Sequence, residues 1–453
     1  NFCDKQNLRY KRVKNMSFYI GIIIFIFTFY LIVSEKIPGV WAALLGGLAM
    51  RFCFIISQDD MIRAVGDNLD IVFLLIGMMI IVHIIAETGL FQWVAIKLAQ
   101  FVRGEPIPLL MILVLITALF SAFLDNVTTI LLIAPVSIVL AEQLEIDAIP
   151  FLIAEAMASN IGGTATLIGD PPNILIASKA NLTFNDFIFH LTPVIIINLI
   201  VFLITIWIFF RKKMKVKNVM KVRVMELDAT RTLKDKKLMI QSCSIMLIVL
   251  IGFFTHSTFH IEPSAIAFGR ALILSIIAKK DPEEIFKTVE WKTLFFFIGL
   301  FILVEGVVKI GAIEMVAQWA IKLTNGSLKL TAMLILWLSA ICSSIVDNIP
   351  YTATMIPIIG GETGLINNIS NIMGNTPEIH STVRYALWWS LSLGACLGGN
   401  GTLVGASANV VAAGIAAKSG RSISFMKFTK YGLFIMFQSM IICSIYIWFR
   451  YLI

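Results

Sequence analysis

Charged residues are scarce in this chain. They make up 14% of its 453 residues, while 58% of the residues are hydrophobic and the mean hydropathy is +0.89. Soluble domains carry roughly a quarter charged residues. The shortage excludes an ordinary soluble domain and predicts an all-α polytopic membrane protein embedded in the lipid bilayer, which we place in a prokaryotic inner membrane.

Three further absences narrow the function. The six cysteines include no Cys-x-x-Cys pair, so they predict neither a zinc site nor a redox centre. There is no Gly-x-x-x-x-Gly-Lys-Ser/Thr loop, which argues against an ATP-driven pump with its motor in this chain. The main basic run has no interleaved aromatic residues and lies between apolar spans, which argues against nucleic-acid binding. We therefore expect no enzyme activity and no cofactor beyond a coupling ion.

Helix breakers interrupt one long apolar segment. Residues 151–180 could cross a bilayer, yet the centre contains Gly162, Gly163, Gly169 and the pair Pro171-Pro172. An unwound backbone is tolerated at membrane depth only where its amides and carbonyls face protein, water or a bound ion. This pattern predicts a broken transmembrane helix that lines a site, and the alternative is a kink without a ligand.

The same pattern returns 236 positions later. The repeated residues of the first segment are Gly162, Gly163, Thr166, Leu167, Gly169 and Asn173, and their counterparts are Gly398, Gly399, Thr402, Leu403, Gly405 and Asn409. Two glycine-interrupted apolar segments in corresponding halves are typical of secondary transporters whose site lies at the repeat interface near the membrane midplane.

The remaining segments follow the same order in both halves. Apolar spans of about 20 residues lie at 17–33, 39–57, 71–87 and 190–210, and again at 239–256, 263–278, 293–310 and 429–449. Amphipathic pieces at 90–103 and 313–323 are expected in the membrane interface. Segments 109–140 and 330–359 are predicted as re-entrant hairpins, with two tilted full spans as the alternative; the second broken helix is expected at 384–417.

These segments define a domain organisation. A basic tail at 1–16 precedes a first repeat at 17–210, a basic linker at 211–237 and a second repeat at 238–453. The linker carries eleven Lys or Arg residues against three acidic ones, so it is predicted to be cytoplasmic. Five crossings per half would invert the second repeat and leave the N-terminus outside, which conflicts with its basic tail unless an upstream helix exists.

Ionisable groups inside spans are costly and are therefore candidates for function. Asp125 and Asp347 occupy the two hairpin tips, each followed by an asparagine, Asn126 or Asn348. Carboxylate and amide oxygens suit Na⁺, and a buried carboxylate can also carry a proton. We consider these four residues as candidate Na⁺ ligands, with helix capping as the alternative role.

Two further carboxylates lack a repeat counterpart. Asp170 aligns with Ala406 and Glu155 with Leu391, so each is a candidate for substrate sensing or proton transfer. Glu305 is a third proton candidate; it shares a repeat position with His83, as Lys309 does with Glu87. These four are expected to pair between the repeats, with packing or snorkelling to the membrane surface as the alternative. The neutral candidates are Thr128, Ser159, Asn160, Gly162, Gly163, Thr164, Thr166, Asn173, Thr352, Gly398, Gly399, Asn400, Thr402, Ser407 and Asn409. The helices that resume after each break are expected to add free amides and a positive dipole end.

Four motifs carry a family resemblance. They are Asp-Asn-Val-Thr-Thr from Asp125, Asn-Ile-Gly-Gly-Thr-Ala-Thr-Leu-Ile-Gly-Asp-Pro-Pro-Asn from Asn160, Asp-Asn-Ile-Pro-Tyr-Thr-Ala-Thr-Met-Ile-Pro from Asp347, and Gly-Gly-Asn-Gly-Thr-Leu-Val-Gly-Ala-Ser-Ala-Asn from Gly398. Together they resemble the P protein group of the ion transporter superfamily, which includes ArsB arsenite exporters, NhaD sodium/proton antiporters and divalent anion/sodium symporters.

The resemblance implies a homodimer with elevator-type movement and paired sodium sites flanking a substrate site. It implicates Asn126, Thr128, Gly163 and Thr164 in one ion site and Asn348, Thr352, Gly399 and Asn400 in the other. The symporters' Ser-Asn-Thr signatures are absent, since Asp precedes Asn at both tips. The first hypothesis is transport of a small anion coupled to Na⁺ or H⁺. The alternatives are a Na⁺/H⁺ antiporter and an arsenite or antimonite efflux permease.

Overall fold

The computed structural model describes residues 2–34, 36–211, 214 and 216–453, with side chains from Met16 onward. Within these ranges the chain is helical and contains no β-strand. The backbone of the predicted basic tail belongs to the same helix as the first span, and its side chains before Met16 lie outside the described residues.

The first half contains eleven helices and the linker adds a twelfth. Their bounds are α1 Phe2–Ser34, α2 Gly39–Phe52, α3 Gln58–Gly66, α4 Leu69–Glu87, α5 Leu90–Phe101, α6 Pro106–Ser121, α7 Asn126–Gln143, α8 Ile149–Gly163, α9 Pro171–Ala180, α10 Phe184–His190, α11 Thr192–Phe210 and α12 Asn218–Met225. A 3₁₀ turn at Ala229–Thr232 follows α12 in the linker.

The second half repeats this order, with one extra helix, α20, after the second hairpin and no counterpart of α10 among the described residues. Its helices are α13 Lys236–Phe259, α14 Pro263–Ile277, α15 Pro282–Thr288, α16 Trp291–Lys309, α17 Ala312–Thr324, α18 Leu328–Ile345, α19 Asn348–Gly360, α20 Leu365–Met373, α21 Pro377–Gly398, α22 Ser407–Lys418 and α23 Phe425–Ile447. A 3₁₀ turn at Gly399–Gly401 follows α21, and a π-helical turn at Trp448–Leu452 ends the chain.

Eight helices of the described chain are long and apolar enough to cross a membrane. They correspond to α1, α4, α7, α11, α13, α16, α18 and α23 with its terminal turn. Helices α2, α6 and α14 are apolar but shorter. The prediction of an all-α polytopic membrane protein is confirmed.

Matching helices of the two halves make matching contacts. Helix α2 packs against α16, and its counterpart α14 packs against α4. Helix α6 packs against α8 as α18 packs against α21, and α7 lies against α22 as α19 lies against α9. The repeat seen in the sequence is therefore present in the packing.

The two broken helices run in opposite directions. Arg384 near the start of α21 donates to the Asn181 carbonyl at the end of α9, at 3.1 Å. At the other end of the molecule, Arg421 just after α22 donates to Glu142 at the end of α7, at 3.1 Å. Each broken helix thus ends where the other begins. This arrangement supports the inverted repeat, whose orientation across the membrane stays a prediction.

The mouths of the two hairpins lie at opposite ends of the molecule. Lys221 of the linker pairs with Glu105 at the start of α6, at 2.6 Å, and Arg223 pairs with Glu145 just after α7, at 2.9 Å. At the second mouth, the Lys329 ammonium lies 5.1 Å from the ring centre of Trp448 in the terminal turn. The tip of the first hairpin lies beside the break in the neighbouring broken helix and does not extend to the far end of that helix. This position supports a re-entrant hairpin.

Single cysteines at Glu105 and Lys329 should react with an impermeant thiol reagent from opposite faces of the membrane. The expected accessible side for Glu105→Cys is the cytoplasm, because the basic linker contacts that mouth. The labelling uses a background in which all six native cysteines are replaced, with Glu226→Cys in the linker as the cytoplasmic reference. Reaction of both positions from one face would mean that the repeats are parallel.

Candidate functional site

The tip of each hairpin is hydrogen-bonded to the neighbouring broken helix. The Ser121 hydroxyl donates to the Ser159 carbonyl at 2.6 Å, and the Ser343 hydroxyl donates to the Ala395 carbonyl at 2.5 Å. Both serines are fully buried. The two contacts are equivalent under the repeat, so each tip is fixed at the depth of a break.

The unwound segments are held by threonine and asparagine side chains. Thr166 donates to the Ala122 carbonyl, and its counterpart Thr402 donates to the Ser344 carbonyl at 2.5 Å. The Asn173 amide donates to the Thr166 carbonyl at 2.9 Å, as the Asn409 amide donates to the Thr402 carbonyl at 3.0 Å. These bonds satisfy carbonyls that the helix break leaves without a helical partner.

Close backbone approach explains the repeated glycines at the helix ends. A Cβ atom on Gly162 would lie 2.0 Å from the Ala118 carbonyl oxygen, and one on Gly398 would lie 2.6 Å from the Ala340 carbonyl oxygen. A Cβ on Gly163 would lie 2.5 Å from the Gly169 carbonyl oxygen, whereas one on Gly399 would be 3.0 Å from its nearest neighbours. Because these glycines lack a Cβ atom, each broken helix can pack closely against the first arm of its hairpin and across its own break.

Asp170 joins the two hairpin tips. Its carboxylate accepts from the Asn126 amide at 3.2 Å and from the Asn348 amide at 3.2 Å to each oxygen. The carboxylate is fully buried, and the two asparagines are 4% and 2% exposed. One carboxylate from the first broken helix therefore receives one amide from each hairpin.

Asn160 links the two broken helices. Its amide donates to the side-chain oxygens of Asn400 at 2.9 Å and Asn409 at 3.1 Å. Its own side-chain oxygen accepts from Asn126 at 3.2 Å, and Thr164 donates to its carbonyl at 2.7 Å. Asn160 thus extends the Asp170 group into a buried polar network that crosses the repeat interface.

Asp125 and Asp347 cap the helices that follow the hairpin tips. Asp125 accepts from the Thr128 backbone amide at 2.8 Å, and Asp347 accepts from the Ile349 backbone amide at 3.0 Å. The second oxygen of Asp347 accepts from the Ser407 hydroxyl at 2.8 Å. The capping role considered in the sequence is therefore present at both tips.

The expectation of free amides at both resumed helices was wrong for α9. Its first two residues, Pro171 and Pro172, have no N–H group, and the Asn173 amide donates to the Asp170 carbonyl at 2.9 Å. The start of α9 therefore lacks the amide donors that bind anions at helix ends. Helix α22 begins instead with Ser407 and Ala408, which both carry an N–H group.

Two buried polar atoms of the candidate site have no hydrogen-bond partner within the described residues. They are the Thr352 hydroxyl oxygen and the Asn400 side-chain nitrogen, and both residues are fully buried. A buried unpaired polar group costs about 1–3 kcal/mol. A hydroxyl and an amide N–H can both donate, so the pair suits an oxygen-rich ligand.

Glu155 lies apart from this network. It is fully buried, accepts from the Ser137 hydroxyl of α7, and its second oxygen has no partner among the described residues. The structure does not bring it to Asp170 by any hydrogen bond of the described residues. Its role in proton transfer stays a prediction.

The expected pairing between the repeats is present for Glu87 and Lys309, whose partners lie in the other repeat, whereas His83 has its partner on its own helix. His83 lies 3.5 Å from Glu87 on the same helix, Glu87 pairs with Lys280 at 2.8 Å, and Lys309 pairs with Asp60 at 2.8 Å. The Lys309 ammonium holds the pKa of Asp60 below its usual range. Only the contact of His83 with Glu87 is local, because a helix places side chains four residues apart side by side.

The candidate sodium ligands do not converge on one ion in this conformation. Asn126 and Asn348 contact Asp170, while Asp125 and Asp347 bind backbone amides of their own helices. Across the part of the chain that the structure describes, no group of three His, Cys, Asp or Glu residues could hold a metal ion. Sodium binding at these residues stays a prediction.

Two cavities flank α9 at the end of the molecule opposite the linker. The larger, of about 640 Å³, is lined by Asp70, Leu167 and Ile174. The smaller, of about 270 Å³, lies among α3, α9, α16 and α19 and contacts Leu175 and Glu305. Asp170 and the two tip asparagines line neither cavity, so the network is closed to both.

Sequence reasoning missed two residues that contact the first break from the second repeat. The Ser392 hydroxyl donates to the Asn173 side-chain oxygen at 2.6 Å, and the Cys396 thiol lies 3.6 Å from the same oxygen. Cys396 is the repeat counterpart of Asn160. This difference between the two halves could have identified Cys396 as a candidate site residue from the sequence.

Comparisons with known proteins agree with this architecture. Residues 29–374 match the family model described as citrate transporter. An uncharacterized transporter of Mycobacterium tuberculosis is 42% identical over 95% of this chain and 98% of its own length. The P protein of Mus musculus is 34% identical over 92% of this chain and 58% of its own length.

A solved structure supports the fold. The YdaH transporter of Alcanivorax borkumensis aligns with a TM-score of 0.57 over 96% of this chain and 98% of that chain, at 12% identity. With its bacterial relatives and apolar helices, the protein is an integral protein of the inner membrane. The chain therefore belongs to the citrate transporter family of membrane transporters.

Proposed function

We propose that the protein is a secondary active transporter that moves a small anion coupled to Na⁺ or H⁺, and that Asp170 binds the coupling cation. The observation that carries this proposal is the contact of one buried carboxylate with an amide from each hairpin. Two neutral amides donate hydrogen bonds but do not neutralise a carboxylate, and a buried charge is costly without compensation. Na⁺ or a proton would provide that compensation.

The same charge would couple the cation to the anion. Two like charges about 5 Å apart repel by roughly 3 kcal/mol at an effective dielectric constant of about 20. An anion therefore binds well only after a cation or proton has neutralised Asp170. The unpaired Thr352 hydroxyl and Asn400 amide would then donate to the anion's oxygens. The family's description directs the first tests to citrate and dicarboxylates.

The packing within the chain supports elevator-type movement, and the homodimer stays a prediction. The hairpins and broken helices contact one another across the repeats, and the pairs α2 with α16 and α4 with α14 form separate close contacts. A body made of hairpins and broken helices could thus slide against a framework of the other spans. This would move the Asp170 network between the two sides of the membrane.

A Na⁺/H⁺ antiporter is the second candidate. Two further carboxylates, Asp125 and Asp347, lie at the tips beside Asn126 and Asn348, and the described hydrogen bonds of Asp170 include no basic partner. Such a site would also suit cations that compete with protons, without an organic substrate.

A thermal-shift screen of the purified protein separates the two candidates. The additions are Na⁺, chloride, arsenite, citrate and dicarboxylates, each at two pH values. A ligand that binds the native state raises the melting temperature, by an amount that corresponds to about 2.7 kcal/mol at 100 times its Kd. We expect one anion to stabilise the protein, and to do so more strongly when Na⁺ or acid is present. Stabilisation by Na⁺ alone, with no anion effective at either pH, would favour the antiporter.

A further inference from the structure

The linker helix α12 is docked firmly on the protein. The Gln100 side chain at the end of α5 donates to the Leu227 carbonyl at 2.7 Å and to the Met225 carbonyl at 3.3 Å. Val224 of α12 is fully buried, and a Cβ atom on Gly104 would lie 3.3 Å from the Lys221 backbone. Helix α12 therefore has a fixed inner face and a fixed outer face.

The outer face of α12 is apolar. Val219, Val222 and Met225 recur every third residue and are 67%, 51% and 46% exposed, and Phe101 at the end of α5 is 79% exposed. We refer to these four residues as the apolar platform. Residues three apart lie on one side of a helix. Since α5 is the helix predicted to lie in the membrane interface, the platform is expected beside the lipid headgroups of the leaflet on the linker side.

Basic residues are frequent in the sequence beside the apolar platform. The sequence from Arg211 to Arg223 contains seven Lys or Arg residues and no acidic residue, and it directly follows the span α11. Lys97, Arg103 and Lys217 are exposed. A basic cluster of this size immediately beyond a transmembrane helix attracts anionic lipid headgroups, and the apolar residues add insertion to that attraction.

We propose that the apolar platform inserts into the leaflet on the linker side and that the basic residues beside it bind anionic phospholipid headgroups. The consequence for the fold lies in the first hairpin. Lys221 pairs with Glu105 and Arg223 with Glu145, so α12 holds both ends of that hairpin. Because α12 is attached to that hairpin, anionic lipid bound here favours the position of the hairpin that this structure shows.

The test uses an environment-sensitive fluorophore on Val222→Cys, in a background with the six native cysteines replaced. The protein is reconstituted in vesicles of pure phosphatidylcholine or of equal parts phosphatidylcholine and phosphatidylglycerol, each with headgroup-proximal spin-labelled lipid as the quencher. We expect a blue-shifted, strongly quenched emission in the anionic vesicles, and loss of most of that quenching in pure phosphatidylcholine or at high salt. Val219→Cys is the second labelling position if the first variant does not fold.

Two controls make the result specific. Glu378→Cys, at an exposed position near the start of α21, lies at the opposite end of the molecule and should show no dependence on lipid charge. Lys217→Gln combined with Arg103→Gln should reduce the difference between the two vesicle types. Equal quenching in both vesicle types would overturn the anionic preference. An unshifted, unquenched emission in both vesicle types would overturn insertion. A blue shift that appears only after a protein partner is added to the vesicles would also overturn insertion. No substrate enters the measurement, so it stands apart from the proposed transport activity.

Discussion

Asp170→Asn is expected to lower gradient-driven anion uptake into proteoliposomes by about 100-fold, near the upper end of usual coupling free energies of about 1–3 kcal/mol. The substitution keeps the size of the side chain and removes its charge, so the site can no longer attract Na⁺ or take up a proton. The protein should remain folded, with an equal or higher melting temperature, because a buried charge has been removed. Initial uptake rates and thermal unfolding in detergent provide the two measurements.

Asp147→Asn is the matched control for this result. Asp147 is an exposed carboxylate just before the same broken helix and lies 3.9 Å from Lys427. It has the same charge and lies at the outer end of the same broken helix, but it has no hydrogen bond with the tip asparagines. Its loss should leave uptake close to the wild-type rate. Wild-type uptake in Asp170→Asn would remove that residue from the mechanism.

Gly162→Ala is expected to have the largest effect on stability. The added Cβ would lie 2.0 Å from the Ala118 carbonyl oxygen, and a backbone atom of a buried helix cannot rotate away. Overpacking of this kind usually costs about 1–3 kcal/mol and occasionally more. We expect a melting temperature well below that of the wild type, or a variant that does not fold. The repeat counterpart, Gly398→Ala, should behave in the same way.

Gly414→Ala is the control for the glycine substitution. Gly414 lies within α22, and a Cβ atom there would meet nothing within 4 Å. Alanine favours a helix over glycine by about 0.5–1 kcal/mol, so this variant should be equally or more stable. If both variants melt at the same temperature, the close approach of α6 and α8 at Gly162 does not describe the folded protein.

Much of the fold was predictable because the two halves of the sequence can be aligned with each other. The repeat offsets identified both hairpins and both broken helices, and the structure has a helix pair or a helix break at each place. Helix ends were less predictable where polar caps extend a helix beyond its apolar run. The second broken helix begins at Pro377, well before the predicted 384, because the Thr376 side chain caps it.

The residues that meet at Asp170 were among the candidates named from the sequence, but their geometry was not predictable. Asp170 was singled out because its repeat counterpart is alanine. Nothing in the sequence shows that Asn126 and Asn348, which are 44 and 178 residues away, meet at its carboxylate. Such long-range contacts follow from packing of the two halves. The lack of amide donors at the start of α9 could have been predicted from the sequence, because its first two residues are Pro171 and Pro172.

The measurement that tests the central claim most directly is the dependence of thermal stability on Na⁺ and pH, compared between the wild type and Asp170→Asn. Asp147→Asn provides the control, because it neutralises an exposed carboxylate outside the tip network. If Asp170 binds the coupling cation, the wild type and Asp147→Asn will respond to Na⁺ or to acidification, and Asp170→Asn will lose that response. An undiminished response in Asp170→Asn would contradict the account and place the coupling cation elsewhere.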